Sequence, residues 1–177
     1  MGIEAPLDTQ LGPSAPATLA RDHRGRSVAS QILDDGAALV SVLADYGFIW
    51  VVIALRKRRP LTLLGAGLLS WSTNKVIKRA VGRARPQARR QSLRVPVRAP
   101  TSSSFPSGHT LAAFCSAIAL ADSLPEGLFF CSFAAAVGAS RIRLGDHHFS
   151  DVAAGAVIGV LAGLATRRIC RHFSANR

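Results

Sequence analysis

An all-α integral-membrane bundle of about five to six transmembrane helices is what this sequence predicts, and three observations predict it. Hydrophobic residues make up 49% of the 177 and mean hydropathy is +0.25, yet the formal net charge is +12. The two properties are segregated, long apolar runs alternating with clusters of arginine, as in membrane spans joined by basic loops. The length leaves room for one domain.

The strong positive charge also raises a nucleic-acid partner, since phosphate backbones attract Lys and Arg. With two Trp and one Tyr the chain is poorly supplied with stacking surfaces, and the apolar runs argue against that reading. Cys115, Cys131 and Cys170 show no metal-ligand or CxxC spacing, so neither a metal nor a disulfide is indicated. Nineteen arginines against three lysines, with abundant Ala, suggest a GC-rich, bacterial genome.

Residues 1–30 read as a polar tail with Pro6, Pro13 and Pro16, without the apolar core of a signal peptide, ahead of a membrane domain over 31–177. The first span candidate runs from Asp35 to Leu55 and stops at the basic turn Arg56–Arg59. Asp45 within it is costly in hydrocarbon and is expected to face other helices or water. Further candidates cover Leu61–Ile77, Thr110–Leu120 (extending to Leu124), Leu128–Ile142 and Val152–Thr166, with Pro125 and Gly127 expected to mark a turn. A sixth, interfacial helix is expected near residues 27–35. The Arg79–Phe105 segment is a polar loop with seven arginines.

Three polar clusters stand at the ends of these runs: Lys78 with Arg85-Pro86, then Pro106-Ser107-Gly108-His109, then Ser140-Arg141 with His147 and Asp151. If successive helices alternate in direction, all three fall on one side of the membrane. Lys78, Arg85 and Arg141 then match the charge of a phosphate, and arginine matches its bidentate geometry. Ser107 and Gly108 open a helix whose unpaired N–H groups favour an anion. His147 and Asp151 are four apart, so a carboxylate can hold the imidazole in one tautomer and leave the other nitrogen to attack phosphorus. His109 is placed to protonate the leaving oxygen. Each cluster alone has an ordinary explanation, such as an arginine snorkelling to headgroups; their joint occurrence does not. His23, His148 and His172 are assigned no chemistry.

Lys78–Pro86 reads KxxxxxxRP, Pro106–His109 reads PSGH, and Ser140–Asp151 reads SRxxxxxHxxxD. Together these resemble the three signatures of the type 2 phosphatidic acid phosphatase superfamily, which includes lipid phosphate phosphatases, bacterial acid phosphatases and vanadium haloperoxidases. The resemblance covers roughly Leu61 to Arg168. It implies a metal-independent phosphatase without a cofactor, with His147 as nucleophile, Asp151 as its orienting partner and His109 as general acid. Lys78, Arg85, Ser107, Gly108 and Arg141 are implied to bind the phosphoryl oxygens. Membrane members have six spans as a rule, one more than the five apolar runs.

The expected substrate is a phosphorylated lipid held in the bilayer. Small size and an Arg- and Ala-rich composition resemble actinobacterial members, among them decaprenylphosphoryl-5-phosphoribose phosphatases, which points to a polyprenyl-linked phosphate. The alternatives are a phosphatidylglycerophosphate or phosphatidate phosphatase and, from the same pocket, a vanadate-dependent peroxidase; a scaffold protein is the non-enzymatic reading. The short tetrabasic turn Arg56–Arg59 is expected to be cytoplasmic, which puts the three clusters on the extracytoplasmic face of a bacterial plasma membrane.

Overall fold

The computed structural model describes residues 27–45, 47–86 and 101–175. They form six α-helices: α1 (Val28–Asp45), α2 (Phe48–Arg56), α3 (Pro60–Val81), α4 (Gly108–Leu120), α5 (Leu124–Arg143) and α6 (Phe149–Ala175). The polar tail and the middle of the arginine-rich loop lie outside the described residues, as does the side chain of Asp45.

The run expected as one span over Asp35–Leu55 is two helices, α1 and α2, bent by 51°. Gly47 caps α2 with φ 56, a left-handed conformation that glycine adopts without a Cβ penalty, and a continuous helix cannot pass through it. The interfacial helix expected near 27–35 is not a separate element. It is the first half of α1, because nothing between Val28 and Asp45 stops the helix. The turn expected at Pro125 and Gly127 is also displaced. Both residues belong to the first turn of α5, where proline loses no hydrogen bond, and the chain turns at 121–123 under the Ser123 cap.

α4 is the centre of the bundle and packs against all five other described helices. Its closest partner is α6, for a reason written in the sequence. Gly155, Gly159 and Gly163 lie four apart on one face of α6, and a Cβ on them would meet the carbonyl oxygens of Ser107, Leu111 and Cys115 at 2.7, 2.5 and 2.7 Å. Backbone therefore rests on backbone, as in helix pairs joined through small residues.

The polarity of the bundle is inverted relative to a soluble protein. Ala38, Ala66, Ala113, Ala117 and Ala134 share the interior with Ser41, Thr110, Arg141, Asp146 and Asp151, all buried. The outer surface carries Leu61, Leu68, Phe129, Phe149, Val157 and Leu161, all more than half exposed. In water such a surface would aggregate; against lipid it costs nothing. Among the described residues, Phe149–Phe173 is long and apolar enough to cross a membrane alone, and the bent pair α1–α2 passes the same criterion jointly.

The two ends of the bundle differ. At one end Lys57 pairs with Asp122 at 2.7 Å and Glu126 at 2.6 Å, and Arg59 pairs with Asp122 at 2.6 Å, tying the α2–α3 turn to the α4–α5 turn. At the other end meet the last turn of α3, the first turn of α4, and the connection from α5 to α6.

Candidate active site

The connection over 144–148 is set by two capping motifs in succession. α5 ends in a Schellman motif: Gly145, with φ 72, donates to the Ile142 carbonyl at 3.0 Å, and Asp146 donates to the Arg141 carbonyl at 3.0 Å. α6 opens with half a capping box, the carboxylate of Asp151 accepting the His148 N–H at 2.9 Å. His147 is held between them in the loop and donates its own N–H to the Arg141 carbonyl at 3.3 Å. His147 and Asp151, four apart in sequence, do not share a helical turn, since α6 begins only at Phe149.

The loop preceding α4 forms the facing wall. Ser104 donates its N–H to the Arg83 carbonyl and its hydroxyl to the Ala84 carbonyl, both at 2.9 Å. Ser107 N–H reaches the Asp151 carbonyl at 3.0 Å, which locks the start of α4 to the start of α6. α3 ends at Gly82 in the left-handed region, one turn past Lys78. Lys78 bonds the Ser103 carbonyl and lies 3.3 Å from the Ser102 hydroxyl.

His147 is buried and both ring nitrogens have defined neighbours. Nδ1 is 2.7 Å from the Ser104 carbonyl, which can only accept, so Nδ1 carries the proton. Nε2 then holds the lone pair and faces the Arg85 guanidinium at 3.3 Å. Burial, and after it the charge of Arg85, press the imidazole pKa down to about 3, with Arg141 and Lys78 acting in the same direction and the Ser104 hydrogen bond opposing them. The ring is neutral at any ordinary pH. Asp151 stands 3.7 Å from Nδ1, too far for a hydrogen bond, and its other oxygen pairs with Arg83 at 2.8 Å. The direct contact that the spacing assigned to Asp151 belongs to the backbone of Ser104.

Nε2 borders a cavity of about 520 Å³ with two unlike ends. Lys78, Arg85, Ser102, His109 and His147 line one; Trp50, Val51, Leu63, Gly67, Ala112 and Ala113 line the other. Gly108 forms part of the wall, and a Cβ there would come 2.8 Å from Asn74 Nδ2. Arg85 reaches its place through the carbonyls of Ser102 and Asp146, each at 2.8 Å. Two expected ligands do not line the cavity. The Ser107 hydroxyl is fully buried and accepts from Thr110 at 2.9 Å. Arg141, 1% exposed, pairs with Asp146 at 2.8 Å and also bonds Ser41 of α1. It lies behind His147 as a fixed positive charge.

Residues 59–174 match the model of the PAP2 superfamily. The chain belongs to that superfamily. Its fold is similar to a transmembrane PAP2-type phosphatidylglycerolphosphate phosphatase from Bacillus subtilis, at 25% identity and TM-score 0.63, over 88% of this chain and 81% of that one. It is also similar to LpxE from Aquifex aeolicus, at 24% identity and TM-score 0.57, over 82% and 89%. No curated protein matches the chain by sequence. As a PAP2 protein with an inverted, lipid-facing exterior, the chain is an integral-membrane helical bundle and a phosphatase.

Sequence reasoning missed Asn74, Arg83 and the Ser104 carbonyl. Asn74 had a signal, since it precedes Lys78 by one helical turn and so shares its face. Arg83 was one arginine among seven, and a backbone carbonyl leaves no mark in a sequence.

Proposed function

We propose that this PAP2 protein removes phosphate from a lipid through a phosphohistidine formed on His147. The observation that carries the reading is the His147 imidazole, held neutral with its Nε2 lone pair towards a cavity that is cationic at one end and apolar at the other. Such a cavity fits a phosphorylated amphiphile, the phosphoryl group against Lys78 and Arg85 and the chain against Trp50 and Leu63.

In the first step Nε2 attacks phosphorus and the bond to the leaving oxygen breaks, with His109 supplying the proton that oxygen needs. Positive charge develops on the imidazole, Nδ1–H keeps its bond to Ser104, and Asp151 offsets the charge from 3.7 Å. Lys78 and Arg85 contact the phosphoryl oxygens, the Gly108 N–H at the start of α4 adds a donor, and Arg141 contributes its field from behind. In the second step water attacks the phosphohistidine, His109 takes up its proton, and inorganic phosphate leaves. Ser107 serves by holding the start of α4 against α6.

A polyprenyl-linked phosphate is the substrate we favour, on the small size and the Arg- and Ala-rich composition of the chain. A glycerophospholipid phosphate is the second reading, supported by the described activity of the Bacillus neighbour. The active site is assigned to the extracytoplasmic face, because the Arg56–Arg59 turn lies at the far end of the bundle. Phosphate release from a panel of both lipid classes, with His147→Ala as reference, tests the reading. The variant should retain less than roughly a thousandth of wild-type turnover, and rapid quenching of the wild type should trap an acid-labile, base-stable phosphoprotein. Greater residual turnover in His147→Ala would exclude covalent catalysis through this residue.

A further inference from the structure

The end of the bundle remote from His147 holds a second cavity, of about 690 Å³. Arg58 and Arg59 contribute to it from the α2–α3 turn, and Arg167 and Arg171 from the end of α6, with Leu61 and Phe173 as apolar walls. Arg59 is neutralised by Asp122 at 2.6 Å. Arg58, Arg167 and Arg171 meet no carboxylate among the described residues. Three guanidinium groups around one hollow, with no carboxylate partner among the described residues, are a good arrangement for an anion bearing several oxygens.

A second feature distinguishes the kind of anion. The cavity shares Cys170 with an apolar groove of about 410 Å³ that runs between α3 and α6 past Leu68 and Ile169. Gly65 and Leu68 lie one to two turns inward from Pro60, so the groove leads from the basic end towards the middle of the bilayer. A free phosphate ion has no use for such a groove. An acyl chain continuing from a phosphate headgroup does, and arginines at a membrane boundary recognise such headgroups.

We propose that this cavity and groove form a binding site for an anionic phospholipid, separate from the catalytic pocket. Its headgroup phosphate is held by Arg58, Arg167 and Arg171, and one acyl chain lies against Leu68 and Ile169. The two sites are separated by the length of α3 from Pro60 to Lys78, roughly 27 Å at about 1.5 Å per residue, so the bound lipid is not the substrate in transit. Its role is to clamp the end of α6 to the start of α3, which the repelling arginines would otherwise push apart.

The test is native mass spectrometry of the purified full chain in uncharged detergent, titrated with phosphatidylglycerol or phosphatidylcholine. One phosphatidylglycerol should be retained in clear preference to phosphatidylcholine. The Arg167→Gln/Arg171→Gln double variant should lose that adduct by roughly 30-fold while keeping phosphatase turnover, since neither residue touches the catalytic pocket. Ile169→Trp, which fills the groove and keeps every arginine, should weaken it as well. Equal retention of the two lipids, or adducts undiminished in both variants, would overturn the proposal. Displacement by millimolar inorganic phosphate would overturn it in favour of a free-anion site.

Discussion

Asp151→Asn separates two roles that a carboxylate beside a catalytic histidine can play. Asp151 is fully buried, pairs with Arg83 at 2.8 Å, caps α6 through the His148 N–H and stands 3.7 Å from His147 Nδ1. The tautomer does not depend on it, because Nδ1–H bonds the Ser104 carbonyl at 2.7 Å. On the proposed mechanism, what the substitution removes is attraction between the carboxylate and the imidazolium that forms as Nε2 takes up the phosphoryl group. Two unit charges about 4 Å apart attract by about 4 kcal/mol at an effective dielectric constant near 20. Arg83 already offsets part of the carboxylate charge, which leaves about 2 kcal/mol, or roughly 30-fold in kcat. A carboxylate that set the tautomer would cost about 10⁴-fold on removal. Steady-state phosphate release, with a melting curve to establish that the variant is folded, should show the smaller loss in kcat with KM little changed. A loss near 10⁴-fold in a folded variant, or no loss, would refute the division of labour between Ser104 and Asp151.

The remaining expectations concern stability, packing and orientation. His147 has a folded pKa of about 3 against about 6.5 unfolded, so between those values the unfolded chain binds the extra proton and stability falls as pH is lowered. Between pH 7 and about 5 the wild type should lose about 2 kcal/mol of stability that His147→Gln does not lose, read from unfolding curves at the two pH values; a stability difference independent of pH would count against the depressed pKa. Gly159→Ala places a methyl group 2.5 Å from the Leu111 carbonyl and should cost about 1–3 kcal/mol and much of the turnover, whereas Gly36→Ala, with nothing within 4 Å, should be close to neutral by the same melting assay. A cysteine at Ser92, which lies outside the described residues, should react with an impermeant thiol reagent in intact cells lacking native cysteines, and one at the exposed Arg56 only after permeabilisation. The reverse pattern would invert the assigned orientation.

Much of the architecture was legible because its causes are local. Apolar runs closed by Gly82, Pro60 or Ser123 give α3, α4 and α5 nearly where the runs lie, whereas α6 continues past Thr166 to Ala175. The signature spacing from Ser140 to Asp151 is legible for a physical reason that the structure supplies: a Schellman motif followed by a capping box fixes the number of residues between Arg141 and Asp151. What was not legible depends on chain path. Gly47 reads as an ordinary residue within an apolar run until its φ is known. The four-residue spacing of Gly155, Gly159 and Gly163 was visible, but its meaning rests on α4 lying against it. Ser107 and Arg141 were recognised by type, yet their side chains are spent on Thr110 and Asp146, away from the cavity. The sequence could not have offered the Ser104 carbonyl at all.

The short α2 has a kinetic consequence. Trp50 and Val51 of α2 face Leu63, Gly67 and Trp71 of α3 across the apolar end of the catalytic cavity, and Val51 and Trp71 also lie on the outer surface of the bundle. On the proposed function, this seam in the side of the protein is where a lipid substrate would enter from the hydrocarbon. A lipid entering there never leaves the bilayer, so the concentration the enzyme experiences is two-dimensional. Its half-saturation is a mole fraction of the surrounding membrane, unchanged by how many vesicles share the test tube.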